Sequence, residues 1–142
     1  MHALKYRGYL PVVEKMMAPL MTGLLDSVRF EAVVPVPLHR GRLAKRGFNK
    51  AELMARRVAE RIIAPVLDKL RAVRRTRDQV ELSAGERRTN VAGAYDARGP
   101  VAGKVLLVDD VFKTGATLSE CAGVHRKAGA SEVHALTLCR TC

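Results

Sequence analysis

The run Val105-Leu-Leu-Val108, followed at once by Asp109 and Asp110 and then by Val-Phe-Lys-Thr-Gly-Ala-Thr117, constrains the fold more than any other stretch of the chain. Four consecutive Val and Leu residues suit a strand buried on both faces, as central parallel strands are. A helix is predicted over 118–127 and a last strand near 133–138. Strand, Gly and Thr loop, helix and strand in that order form a parallel βαβ unit. Its loop falls at the carboxyl end of the first strand, where such sheets bind ligands. Thr117-Leu-Ser-Glu120 reads as a capping box that fixes the helix start just behind Gly115.

A helix N-terminus behind a glycine turn presents unpaired N–H groups and a positive dipole end. A phosphate monoester fits there, with the hydroxyls of Thr114 and Thr117 as further donors. Two carboxylates would repel that phosphate on contact, but at the strand tip they can accept hydrogen bonds from vicinal sugar hydroxyls. Together these features describe a ribose 5-phosphate site. Neither G-x-x-x-x-G-K-[ST] nor a G-x-G-x-x-G after a strand occurs, which sets aside the nucleoside triphosphate and dinucleotide motifs.

Upstream, apolar spacing predicts a helix over 9–25, and Phe30-Glu-Ala-Val-Val-Pro-Val-Pro37 a strand running into a loop. Residues 38–50 are basic, lack apolar periodicity and read as a loop. A second helix is expected over 51–63, closed by Pro65. A strand over 66–73 leads into the polar, basic segment 74–79. Ser83-Ala-Gly-Glu86 matches a capping box opening a short helix over 84–90, and 93–95 reads as a brief edge strand.

The 142 residues suit one domain spanning 1–142, and 48% apolar with 27% charged residues is an ordinary globular balance. Aromatics are only 4%, with no Trp, so rows of base-stacking platforms are not available. The 25 Lys and Arg against 14 Asp and Glu give a formal +11, which favours phosphates or nucleic acid as partners. Cys121, Cys139 and Cys142 do not form a disulfide framework, and the N-terminal residues lack a signal-peptide apolar region, so a cytoplasmic location is expected. The uncharged stretch 16–25, interrupted by Pro19 and Gly23, falls short of the roughly 20 residues of a membrane span. Cys139-Arg-Thr-Cys142 has no second cysteine pair, so no metal or redox site is expected there. His125 and His134 read as satisfied structural histidines, and Arg56-Arg57 as a solvated helix face.

Val105-Leu-Leu-Val-Asp-Asp-Val-Phe-Lys-Thr-Gly-Ala-Thr-Leu118 closely resembles the signature with which type I phosphoribosyltransferases bind 5-phosphoribosyl-1-pyrophosphate (PRPP). Within that superfamily the chain is most similar to the competence protein F (ComF/GntX, amidophosphoribosyltransferase-like) group. Leu4-Lys-Tyr-Arg-Gly8, Val34-Pro-Val-Pro-Leu-His39, Arg46-Gly-Phe-Asn49, Thr76 with Gln79, and Glu86-Arg-Arg-Thr-Asn-Val91 support this. Lys50 stands where the group usually has Gln, and Lys113 where Thr is common.

The resemblance implies an α/β fold of phosphoribosyltransferase type I, with a mainly parallel sheet flanked by helices and a flexible loop over the site. It implies that Asp109 and Asp110 hold the ribose hydroxyls and that Lys113, Thr114, Gly115, Ala116 and Thr117 wrap the 5′-phosphate. Pro37, Leu38, His39, Arg40 and Arg46 would face the pyrophosphate, whose charge Arg42 and Lys45 also match. The basic stretch 74–88 would be the closing loop, with Arg74 and Arg87 as catalytic side chains. Phosphoribose would pass to a nitrogen acceptor as pyrophosphate leaves, with Mg²⁺ carried mainly by PRPP and no metal held by the protein alone. The alternative implied by the group is a non-enzymatic natural-transformation factor that binds single-stranded DNA or DNA-processing proteins. A homodimer is common in the superfamily, and the cysteine-rich zinc module that often precedes its catalytic domain is not expected within these 142 residues.

Overall fold

A computed structural model describes residues 15, 27–77, 82–112 and 114–140. Apart from Lys15, the helix expected over 9–25 lies outside them. The Val/Leu run forms the middle of β4 (Gly103–Phe112), the central strand of a three-stranded sheet. β1 (Ala32–Pro35) pairs with it on one side, Ala32 opposite Val105 and Pro35 opposite Val108. β5 (Ala130–Arg140) pairs on the other, Val105 opposite Val133 and Asp109 opposite Thr137. Both pairings are parallel, so all three strands end on the same side. Beyond β1, Val66 makes an isolated parallel bridge to Val33.

Alternation along β4 feeds two cores. Leu106 and Val108 join Phe30 and Val33 against Met54, Ala55, Val58 and Ala59. These last four lie on one face of a helix at Lys50–Ile62, at the three-and-four spacing of an amphipathic helix. Val105 and Leu107 point the other way, to Ala32, Val34, Leu70, Leu118 and Cys121. Both faces are covered, which is why this strand reads as an unbroken apolar run. The last helix, Ala116–Lys127, contacts β5 and β4 and completes the expected βαβ unit.

β2 (Leu70–Ala72) and β3 (Tyr95–Ala97) form a small antiparallel ladder, Ala72 opposite Tyr95. Val73 N donates to Ala94 O at 2.8 Å and extends this stem by one step. The strand expected over 66–73 is thus a bridge at Val66 followed by β2, and the edge strand expected at 93–95 lies at 95–97. Between the two strands stands a helix at Ala84–Val91, opened by the expected capping box: Ser83 N donates to Glu86 Oε2 at 2.7 Å and Glu86 N to Ser83 Oγ at 3.3 Å.

Numbered in chain order, the helices are α1 (Arg40–Arg46), α2 (Lys50–Ile62), α3 (Ala84–Val91) and α4 (Ala116–Lys127). α1 corrects the loop expected over 38–50. It buries no residue, so apolar periodicity could not reveal it. Its ends carry the signal instead: His39 Nδ1 accepts from Gly41 N at 3.3 Å, and Gly47 closes the helix at φ 83°, where a side chain would be strained. α2 stops earlier than Pro65 requires, because Ile63 adopts a left-handed conformation (φ 56°) and donates its amide to Ala59 O. No helix among the described residues is long and apolar enough to cross a membrane.

Candidate functional site

β4 does not end at Val108 as expected. It continues through Asp109 and Asp110 to Phe112, so the carboxylates are held in a hydrogen-bonded strand instead of a free tip. Asp109 is partly buried and accepts from Asp110 N at 2.9 Å. The Asp110 carboxyl reaches back within hydrogen-bond distance of it. Burial first, and the Asp110 charge second, push the Asp109 pKa up to about 7. Burial and the neighbouring Asp110 thus disfavour the charged form of Asp109, and a hydroxyl donor would relieve this.

Phe112 then turns beneath the loop. Gly115 sits at φ 78°, and a Cβ there would lie 2.9 Å from the Phe112 ring. Left-handed backbone and aromatic contact both demand glycine at this position. The Arg140 guanidinium lies 5.4 Å from the centre of the same ring. Gly115 is the N-cap of α4 and supplies no side chain. The expected capping box at 117–120 is therefore not formed: Thr117 lies inside the first turn, and Glu120 Oε1 accepts instead from Gly93 N at 3.0 Å. Thr114 Oγ1 accepts from Ala116 N at 3.4 Å. First-turn amides have no carbonyl one turn back, so α4 opens towards the loop with its donor end. Asp109, Thr114, Gly115, Ala116 and Thr117 line one small cleft of about 20 Å³ together with Val111, Phe112 and Leu118. Lys113 lies outside the described residues.

The proposed pyrophosphate residues approach from β1. Val36 N donates to Val108 O at 2.9 Å, so Pro37 begins beside Asp109. Pro37, Leu38, His39 and Arg40 line a separate cavity of about 1050 Å³ between α1, α2 and β2, which shares no residue with the small cleft. Arg46 is in the last turn of α1. Arg42 Nη2 donates to Thr76 O at 2.8 Å.

Arg74 Nη2 donates to Asn90 O at 2.7 Å and Ala92 O at 2.8 Å. Asn90 also exchanges two hydrogen bonds with the backbone of Arg77, at 2.9 and 3.0 Å. These contacts tie the ends of segment 74–92 together above the β2–β3 stem. Arg87 stands on α3 within that segment. Arg74 is thus engaged with carbonyls and not brought to Asp109.

One residue escaped the sequence reading. The Tyr95 hydroxyl is hydrogen bonded to the Thr117 side chain, with Asp109, Cys121 and Arg42 close enough to act on its ionisation. Burial, then Cys121 and Asp109, push its pKa well above the usual tyrosine range. Its only signal was rarity, as one of three Tyr in a chain poor in aromatics. His125 corrects another expectation: it is fully buried with neither ring nitrogen hydrogen bonded among the described residues, and burial pushes its pKa down. His134 does have partners, Glu132 Oε2 at 3.0 Å and the Phe30 ring edge-on at 5.3 Å. Arg56 and Arg57 form exposed ion pairs with Glu52 and Glu60, as a solvated helix face does. Cys139 is an exposed free thiol, and Cys142 lies outside the described residues.

Comparison with known proteins adds independent findings. The family model described as "Phosphoribosyl transferase domain" matches residues 43–141. Competence protein F of Haemophilus influenzae is 36% identical over 116 residues, covering 78% of this chain and 50% of that protein. DNA utilization protein YhgH of Salmonella typhimurium is 37% identical over 130 residues, covering 90% of this chain and 56% of that protein. The chain spans about half the length of these curated relatives. Among solved structures, a purine phosphoribosyltransferase from Pyrococcus horikoshii matches with a TM-score of 0.52 at 20% identity, covering 90% of this chain and 73% of that one.

Proposed function

The chain belongs to the phosphoribosyl transferase domain family, and we propose that it binds PRPP at 105–118 and transfers phosphoribose to a nitrogen acceptor with release of pyrophosphate. The observation that carries this reading is the run of β4 from the Asp109–Asp110 pair, over Phe112, into the glycine-started first turn of α4. Asp109 and Asp110 accept hydrogen bonds from the ribose 2′ and 3′ hydroxyls. The first-turn amides of α4, with Lys113, Thr114, Gly115, Ala116 and Thr117, wrap the 5′-phosphate.

Pro37, Leu38, His39, Arg40 and Arg46 face the pyrophosphate, because β1 delivers them to the same end of the sheet as Asp109. The C1–O bond to pyrophosphate breaks as the C1–N bond forms, through an oxocarbenium-like state, and the acceptor's surplus proton leaves to solvent. Arg74 and Arg87 bring positive charge to the departing group when the basic stretch 74–88 closes, which for Arg74 means releasing the carbonyls of Asn90 and Ala92. Mg²⁺ fits the donor chemistry. It takes oxygen ligands and keeps several waters, which suits a metal bound chiefly through the oxygens of its phosphorylated ligand. It would be carried mainly by the oxygens of PRPP, and it would offset charge on the leaving pyrophosphate.

The test is pyrophosphate release from PRPP and Mg²⁺ with ammonia or nucleobases as acceptors. Acceptor-dependent release that falls about 100-fold or more in Asp109→Asn/Asp110→Asn, which loses two charge-assisted hydrogen bonds, is the expected result. No release with any acceptor would remove the transferase step.

A second reading rests on charge. α1 carries Arg40, Arg42, Lys45 and Arg46 with no acid in its first turn, and Arg74, Arg75, Arg77, Arg87 and Arg88 follow on segment 74–92. Two relatives are named for DNA utilization and competence, and these basic side chains suit single-stranded DNA.

A further inference from the structure

β4 and β5 end together, on the register pair Phe112 and Arg140. Phe112 is the last strand residue before the loop that leads into α4, and its ring packs against the apolar cluster that includes Leu118 of that helix. Two further contacts bear on the ring. A Cβ at Gly115 would lie 2.9 Å from its Cε2 and 3.1 Å from its Cζ, so the start of α4 rests against it. The Arg140 guanidinium lies over the ring with its Cζ 5.4 Å from the centroid, within the roughly 6 Å over which a cation is drawn to the negative face of an aromatic ring. No carboxylate among the described residues forms an ion pair with that guanidinium. β5 flanks β4 on the side opposite β1, so Arg140 and residues 37–46 approach the central strand from opposite sides.

We propose that Arg140 is a positioning residue for the 5′-phosphate cradle: stacked on Phe112, it holds that ring as the floor on which Gly115 turns and α4 begins. The torsion that rotates a phenyl ring about its Cβ–Cγ bond has broad wells, so at the end of a strand the ring takes its orientation from its neighbours. Gly115 has no side chain to brace its own left-handed turn, and the first turn of α4 has no side-chain cap. The aim of the first-turn amides therefore depends on what lies beneath Gly115. A ring that swings away leaves the glycine unsupported, and those amides lose their common direction towards the phosphate. The brace needs a cation over the ring face, which lysine can supply and a neutral side chain cannot. The inference rests on the 5′-phosphate reading of the α4 N-terminus and adds a residue from the last strand, which neither the loop nor the helix supplies.

The test compares binding of ribose 5-phosphate and inorganic pyrophosphate to the parent, Arg140→Met, Arg140→Lys, Phe112→Leu and Arg140→Met/Phe112→Leu by calorimetry, with melting temperatures as a folding control. Arg140→Met keeps an aliphatic stem and removes the cation. Expected is a loss of about twofold to fivefold in ribose 5-phosphate affinity, the value of an exposed cation–π contact, with pyrophosphate affinity unchanged. Arg140→Lys should bind ribose 5-phosphate nearly as the parent does, since a cation remains over the ring. The double variant should bind no more weakly than Phe112→Leu alone, because Arg140 acts through the ring. Unchanged ribose 5-phosphate binding by Arg140→Met, an equal loss for both ligands, or the full Arg140→Met loss repeated in the Phe112→Leu background would overturn the positioning role while leaving the phosphate site intact. A parent that binds no ribose 5-phosphate would overturn the site and the positioning role together.

Discussion

Two carboxyls at hydrogen-bond distance and partly out of water hold a proton that solvated ones release, and Asp109 is the measurable case. Its folded pKa of about 7 stands above the usual value of 3.8, chiefly through burial. Between those values the folded chain binds more protons than the unfolded one, so this residue lowers stability as pH rises through the window. His125 has the opposite slope: its pKa is depressed by burial, so stability falls as pH drops below the usual histidine range near 6.5. The Asp109 effect must therefore be read as variant minus parent. Asp109→Asn should melt about 3–5 °C above the parent at pH 8, the change that about 1 kcal/mol produces in a chain of this size. The gap should close towards pH 4. A gap constant from pH 4 to 8 in scanning calorimetry would contradict the proton-sharing pair. Asp109 and Gly115 were legible in sequence because a run of Val and Leu ending in acids, and a glycine before a helix, have few other uses. Tyr95 was not, because its partner lies 22 positions on and only the tertiary fold brings the two hydroxyls together.

At the scale of elements, legibility followed burial. α2 and β4 announced themselves because Met54, Val58, Leu106 and Val108 share one core and impose their spacing on the sequence. α1 buries nothing, and only His39 and Gly47 betrayed it. The Ser83 capping box formed as expected, whereas the same pattern at Thr117 did not, because Gly115 had already started the helix two residues earlier and Glu120 was taken by Gly93. Local pattern alone cannot distinguish these two cases. The described residues of segment 74–92 are joined by exposed hydrogen bonds centred on Asn90 and Arg74, and regions held by exposed hydrogen bonds open well below the global unfolding energy. Asn90→Ala should raise amide exchange and tryptic cleavage within 74–92 by about tenfold, as loss of about 1.4 kcal/mol of local stability implies. The melting temperature should change little. Uniform exchange across the whole chain would show instead that Asn90 supports the global fold.

For the molecule as a whole, the parallel strands set the direction of the site and the charge sets its class of ligand. The three strands of the main sheet run parallel, so that Pro37 after β1 lies towards the same end of the sheet as Asp109 in β4, and a formal charge of +11 draws polyanions. Charge cannot separate PRPP from DNA, but salt can. If single-stranded DNA lies along the basic face, contact with about five phosphates predicts a loss of about 100-fold in affinity between 50 and 200 mM salt, measured by fluorescence anisotropy. Salt-insensitive or absent binding would remove that reading. The most direct test of the central claim is calorimetric titration of PRPP with Mg²⁺ into the parent and into Asp109→Asn/Asp110→Asn. Saturable binding by the parent, lost in the double variant while its fold is retained, is the predicted result. A parent that takes up no PRPP, or a double variant that binds as the parent does, would contradict it.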